Sequence, residues 1–108
     1  MTLSALYTIL SATGYPVAYS FFPDDERVSP PCITYEVAFS DNFGADNHVF
    51  SPFNVVDIFL FTKIKDETAE GKVEKALDDN YIFWDKTETY NNDEKVYQII
   101  YEVKINAS

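Results

Sequence analysis

His48 and Cys32 are the side chains best suited to nucleophilic chemistry, and each is the sole member of its type in the 108 residues. Attack on a carbonyl needs a nucleophile, a base and a third group that orients the base, all meeting in space. His48 stands in the run Asp41-Asn42-Phe43-Gly44-Ala45-Asp46-Asn47-His48, with no Ser or Cys beside it in a catalytic pattern. Cys32 lacks the electropositive neighbours that lower a thiol pKa. It opens an apolar stretch, where a lone cysteine packs into a core or sheet, and without a second cysteine it forms no internal disulfide.

Other chemistry is equally thin. With 18 acidic side chains, adjacent carboxylates arise from composition alone, so Asp24, Asp25 and Glu26 read as a solvated loop face and not as an acid–base pair. Gly14, Gly44 and Gly71 are isolated, so no glycine loop is present to cradle a phosphate. Asp41, Asn42, Asp46 and Asn47 offer oxygen ligands, as does Asn91-Asn92-Asp93-Glu94. Neither has the alternating oxygens, central Gly and closing Glu of a calcium loop, and Asp and Asn in such runs do turn chemistry first. Zinc would need more His and Cys than exist. The chain is therefore expected to be no enzyme, with no catalytic residue, cofactor or metal.

The elements that position these residues follow from spacing. Thr2 can cap a helix over about 2–13, with Leu3, Leu6, Tyr7 and Leu10 on one face, and Gly14-Tyr15-Pro16 ends it. Alternation predicts a short strand over 17–22. A polar, proline-punctuated loop follows, and then a strand with Ile33, Tyr35, Val37 and Phe39 on one face. Segment 40–52 is a long connection without periodicity, a kind that is usually functional or mobile. Segment 54–64 is a strong strand, with Val56, Ile58, Leu60 and Ile64 on one side. Phe59 and Phe61 make its other side partly apolar, which suggests either two covered faces or one face that meets a partner. Asp66 caps a second helix bearing Ala69, Val73, Ala76 and Leu77, and Asp78-Asp79-Asn80 ends it. Strands near 81–90 and 95–105 are joined by a hairpin loop. The fold class is α+β, a single domain over 1–108. A largely antiparallel, twisted sheet of about five strands carries two helices, in the order α-β-β-β-α-β-β.

Totals exclude some partners. Only 8 basic residues stand against the 18 acidic ones, a formal net charge of −10, so phosphate backbones and anionic membranes are repelled. No apolar run approaches the roughly 20 residues of a membrane span, and the N-terminus lacks the pattern of a signal peptide, so a cytoplasmic product is expected. Eight Tyr, nine Phe and one Trp suit strand positions first, and any beyond what one small core holds favour interfaces.

Taken in order, Ile33-Thr34-Tyr35, the run from Ser40 to Phe50, Val55-Val56-Asp57-Ile58-Phe59-Leu60-Phe61-Thr62, the acid-capped helix and Glu94-Lys95-Val96-Tyr97-Gln98-Ile99-Ile100-Tyr101-Glu102-Val103 carry a resemblance. The chain resembles small tail-completion, or tail-terminator, proteins from prophages and long-tailed phages of Gram-positive bacteria, over nearly its whole length. The resemblance implies a virion component made in the host cytoplasm. Such a subunit forms a ring, commonly of six copies, that closes the head-proximal end of the tail tube and docks onto the head connector. Its expected partners are its own copies, the tail tube protein and the head connector protein. A continuous hairpin arm is implied in the region that Pro52 interrupts.

A closed ring needs two different patches per subunit. Asp41, Asn42, Phe43, Asp46, His48 and Phe50 of the long connection, with Phe59 and Phe61 of the following strand, are the candidates for one of them. An acidic lumen wall would let DNA pass without sticking. Other readings are another head–tail connector component, a small acidic binder that mimics nucleic acid, and an enzyme built on His48 with Cys32 or carboxylates.

Overall fold

The computed structural model describes residues 1–24, 28–45 and 48–106. Helix α1 (Leu3–Ser11) starts where the Thr2 hydroxyl accepts the Ala5 N–H at 3.0 Å, and the chain leaves it through Gly14 at φ +88°. Helix α2 (Glu67–Asp79) starts where Asp66 accepts the Ala69 N–H at 3.0 Å. Asn80 closes it by donating its side-chain amide to the Ala76 carbonyl at 2.8 Å. Leu6, Leu10, Ala69, Val73 and Leu77 are fully buried, as helical spacing requires. No helix among the described residues is long and apolar enough to cross a membrane.

The remaining elements are β1 (Val17–Tyr19), β2 (Cys32–Ser40), β3 (Phe43–Ala45), β4 (His48–Ser51), β5 (Phe53–Thr62), β6 (Trp84–Asn91) and β7 (Val96–Asn106). Five of them form one sheet in the order β1-β2-β5-β7-β6, and two helices pack on it, so the fold is α+β. The sheet is largely antiparallel but mixed, because β1 runs parallel to β2 while the other three pairings are antiparallel. The connection over 20–31 supplies the reason. Parallel neighbours need a crossover of about a dozen residues, and a proline-rich loop of that length lies between them. The expected strand over 17–22 is cut short where Ser20 turns to φ +67°.

The segment 40–52 also differs from an irregular loop, so the expected element order holds only roughly. β3 and β4 pair with each other as a separate antiparallel ribbon, with Phe43 opposite Ser51 and Ala45 opposite His48. Pro52 sits between β4 and β5, since it has no N–H to continue a ladder. At the other end of the molecule, Asn91 builds the β6–β7 turn. Its side-chain oxygen accepts the N–H groups of Asp93 and Glu94 at 3.0 and 3.1 Å, and its carbonyl accepts that of Lys95 at 2.8 Å.

Both helices cover the same face of the sheet. Ile33 and Tyr35 of β2, Val56, Ile58 and Leu60 of β5, and Ile99, Tyr101, Val103 and Ile105 of β7 meet the helices in one continuous core. Each such side chain contributes on the order of 1.5–3 kcal/mol by leaving water. Two residues expected on this inner face lie elsewhere. Ile64 falls beyond the end of β5 and is 72% exposed. Phe39 is turned to the opposite face by a bulge between Val37 and Phe39, because one extra residue inverts every later side chain.

Candidate functional site

The face turned away from the helices is the candidate site, since a sheet with two apolar faces and one helical layer leaves one of them to meet something else. Register makes its composition explicit. Nearest the β6–β7 turn, Cys32, Phe61, Gln98 and Thr89 form a row across β2, β5, β7 and β6. The next row holds Thr34, Phe59, Ile100 and Thr87. Phe59 and Phe61 stack, with ring centroids 6.3 Å apart and planes 15° from parallel.

The third row is wholly acidic: Glu36 faces Asp57, Asp57 faces Glu102, and Glu102 faces Asp85. Side chains so placed lie about 4.5–5.5 Å apart at Cβ, and like charges there repel. The Ser20 hydroxyl donates to Glu36 at 3.3 Å. Burial, and then the charge of Glu36, pushes the Asp57 carboxyl above the ordinary carboxylate range. Beyond this row, Phe39, Val55 and Lys104 line up, and Phe83 joins them around a shallow hollow of about 360 Å³ that also touches Asp85 and Glu102. Phe39 and Phe83 are 55% and 80% exposed, where an isolated chain would bury them if it could.

The described part of the loop over 20–31 reaches the first two rows, where Cys32 and Thr34 are buried. With Phe21, Phe22, Val28, Cys32, Phe61 and Val96 it lines an open cleft of about 500 Å³. Burial raises the Cys32 thiol, opposite to the direction an activated nucleophile takes. The backbone of His48 lies in the ribbon that leaves the sheet at the other end of the nine-residue β2, about 26 Å away at strand rise. The fold therefore does not bring Cys32 and His48 together. Among the described residues no group of three or more His, Cys, Asp or Glu side chains could hold a metal ion.

Of the other expected contact residues, Asp41 pairs with Lys104 at 2.8 Å, and Asn42 accepts the Phe53 N–H at 3.1 Å. Both therefore brace the base of the ribbon. Phe43, His48 and Phe50 contribute ribbon backbone, and Asp46 lies outside the described residues. Phe59 and Phe61 are on the open face, as their place in the strand required. Sequence reasoning missed Phe39, Phe83 and the acidic row. Polar residues interrupting apolar strands at Glu36, Asp57 and Glu102 were a visible signal, but only register makes them neighbours.

A second charged group sits on the helix face and has a structural role. Glu70, 3% exposed, is paired to Lys65 at 2.7 Å and Lys86 at 3.1 Å. Lys86 also reaches Glu74 at 3.0 Å, Lys65 reaches Glu88 at 2.6 Å, and the Tyr101 hydroxyl donates to Glu74 at 2.7 Å. Burial would raise the Glu70 carboxyl, but hydrogen bonds from the two lysines outweigh it and hold the group low. Burial first, and then Glu74, pushes the Tyr101 phenol far above its usual range. Every charged end is matched, so the network ties α2 to β6 and β7 and offers no free acid or base. Compared with known protein families and with curated proteins, the chain matches none.

Proposed function

We propose that this chain is a virion structural protein of a long-tailed phage. It is a tail-terminator, or tail-completion, subunit that forms a ring at the head-proximal end of the tail and joins it to the head connector. One observation carries the reading: among the described residues no helix covers one face of the sheet, on which Phe59, Phe61 and Ile100 are half-buried while Phe39 and Phe83 are exposed. A catalytic scaffold has no need of such a surface, whereas a subunit that is completed by neighbours does. The ribbon β3–β4 is a separate element from the face bearing Phe59 and Phe61, so the single patch expected from these residues is divided. A subunit that meets both its own copies and other partners needs more than one surface. The resemblance of the strand–ribbon–strand–helix order to tail-completion proteins supplies the assembly context.

In this reading the partners are further copies of the chain, the tail tube protein and the head connector protein. The protein passes from the host cytoplasm into the virion. Electron microscopy of an induced lysate lacking the gene tests it. Full heads beside unjoined or overlong tails are expected, and normal infectious particles would refute it. The acidic row favours one other reading, a small acidic binding protein, and normal particles would move that reading to the front.

A further inference from the structure

The open face carries enough detail to specify what covers it. Its acidic row, Glu36–Asp57–Glu102–Asp85, crosses four adjacent strands, about 14 Å at strand spacing. Apolar rows flank it on both sides, with Phe59 and Ile100 on one and Phe39 and Val55 on the other, roughly 13 Å apart along the strands. Its charge is uncompensated, since Asp57, Glu102 and Asp85 have no cationic partner among the described residues. Lys104, two residues along β7 from Glu102, is already held by Asp41 at 2.8 Å and lies over the Phe53 ring at 4.9 Å.

We propose that this face docks a basic, amphipathic helix of a partner protein, with Lys or Arg along its centre line and apolar side chains on both flanks. The dimensions agree. A helix is about 10–12 Å across with its side chains, so one laid along the row sets its flanks over both apolar rows. Basic residues at i, i+4, i+7 and i+11 of one helix face span about 16 Å, matching the row within side-chain reach. The row then supplies selectivity and the flanking aromatics supply buried area.

A second copy of the chain fits less well. Two open faces related by a two-fold axis would set row against row. Of the described lysines, Lys65, Lys75, Lys86 and Lys104 already hold carboxylates within their own chain. Lys63, Lys72 and Lys95 stand apart, after β5, in α2 and in the β6–β7 turn, so they form no basic row. A wall that DNA merely slides past has no use for exposed phenylalanines. The inference goes beyond the ring reading: it assigns this face to a partner protein and leaves contacts between copies of the chain to other surfaces, such as the β3–β4 ribbon.

The test titrates the full chain into a labelled synthetic Leu–Lys amphipathic helix of about five turns and follows fluorescence anisotropy. A Leu–Glu helix of the same pattern serves as control. The Leu–Lys helix is expected to bind, more weakly as salt rises, and the Leu–Glu helix is expected not to. The double variant D85N/E102Q alters two exposed side chains and should not lower Tm, since it relieves repulsion within the row, while weakening binding about tenfold. The double variant E67Q/D79N removes the same charge from α2, in the layer behind the sheet, and should change binding by less than about twofold. Equal weakening by both pairs would reduce the effect to net charge and overturn the proposal. Failure of the wild-type chain to bind would do the same, as would self-association through this face that D85N/E102Q alters. Normal particles in the lysate experiment together with row-dependent binding would remove the ring reading and leave this one standing.

Discussion

Replacing Asp57 by Asn should stabilise the fold at neutral pH, against the usual sense of a mutation in a central strand. Asp57 is half-buried in β5 with Glu36 opposite it on one side and Glu102 on the other. Each directly opposed like-charge pair costs about 0.2–1 kcal/mol, so relief of both is worth about 1 kcal/mol. For a chain of this length that is about 4 °C in Tm. The sign with pH follows from the carboxyl being held above its ordinary range by burial and by Glu36. A group raised in this way stabilises the fold fully below its unfolded pKa of about 3.9, and the contribution is lost as pH rises through the raised folded value. The advantage of D57N is therefore small near pH 3, grows through the carboxylate range and levels off above the raised pKa. Urea denaturation of both proteins at pH 3, 5 and 7 reads this directly, and added salt should shrink the gain. No gain at pH 7, or the same gain at pH 3 as at pH 7, would refute the repulsion on which the acidic row rests.

Other outcomes follow from the same structure. Y101F removes the 2.7 Å hydrogen bond to Glu74 but leaves Lys86 on that carboxylate, so urea denaturation should show a loss of about 1–2 kcal/mol. L77A empties a fully buried site between α2 and the sheet and should cost about 2–5 kcal/mol by the same measurement. N91A deletes the acceptor for two turn N–H groups, and a loss of about 1 kcal/mol is expected. F83S, at a side chain 80% exposed, should leave stability within about 0.5 kcal/mol while reducing Leu–Lys helix binding in the anisotropy assay.

Much of the fold was legible in the chain because its signals are local. Thr2 and Asp66 announced both helix starts, and each side chain accepts the expected N–H. The 3.6-residue spacing picked out the buried Leu6, Leu10, Ala69, Val73 and Leu77, but it also put Tyr7, which is exposed, on the inner face. Along β7, Ile99, Tyr101, Val103 and Ile105 alternate into the core, while Tyr97 at the same period is only half-buried. Asn91-Asn92-Asp93-Glu94 gave the hairpin turn. The apolar second side of β5 at Phe59 and Phe61 indicated either two covered faces or one that meets a partner, and among the described residues no helix lies on that side.

What local pattern could not carry was pairing. Whether β1 joins β2 parallel or antiparallel depends on how the loop over 20–31 crosses the sheet, and no residue in β1 encodes that. The bulge at 37–39 inverts Phe39 because the partner strand sets the register, so alternation read along β2 alone puts this ring in the core. The ribbon within 40–52 is too short to show a period. The acidic row is the clearest case. Glu36, Asp57, Asp85 and Glu102 are scattered along the chain as ordinary solvent-facing residues, and they become one line of charge only when four strands align. Composition determined that the protein would be acidic and rich in aromatics. Tertiary structure decided that these properties share one uncovered face, because long-range register, unlike helix capping or strand alternation, is a property of pairs of segments and is written in neither one alone.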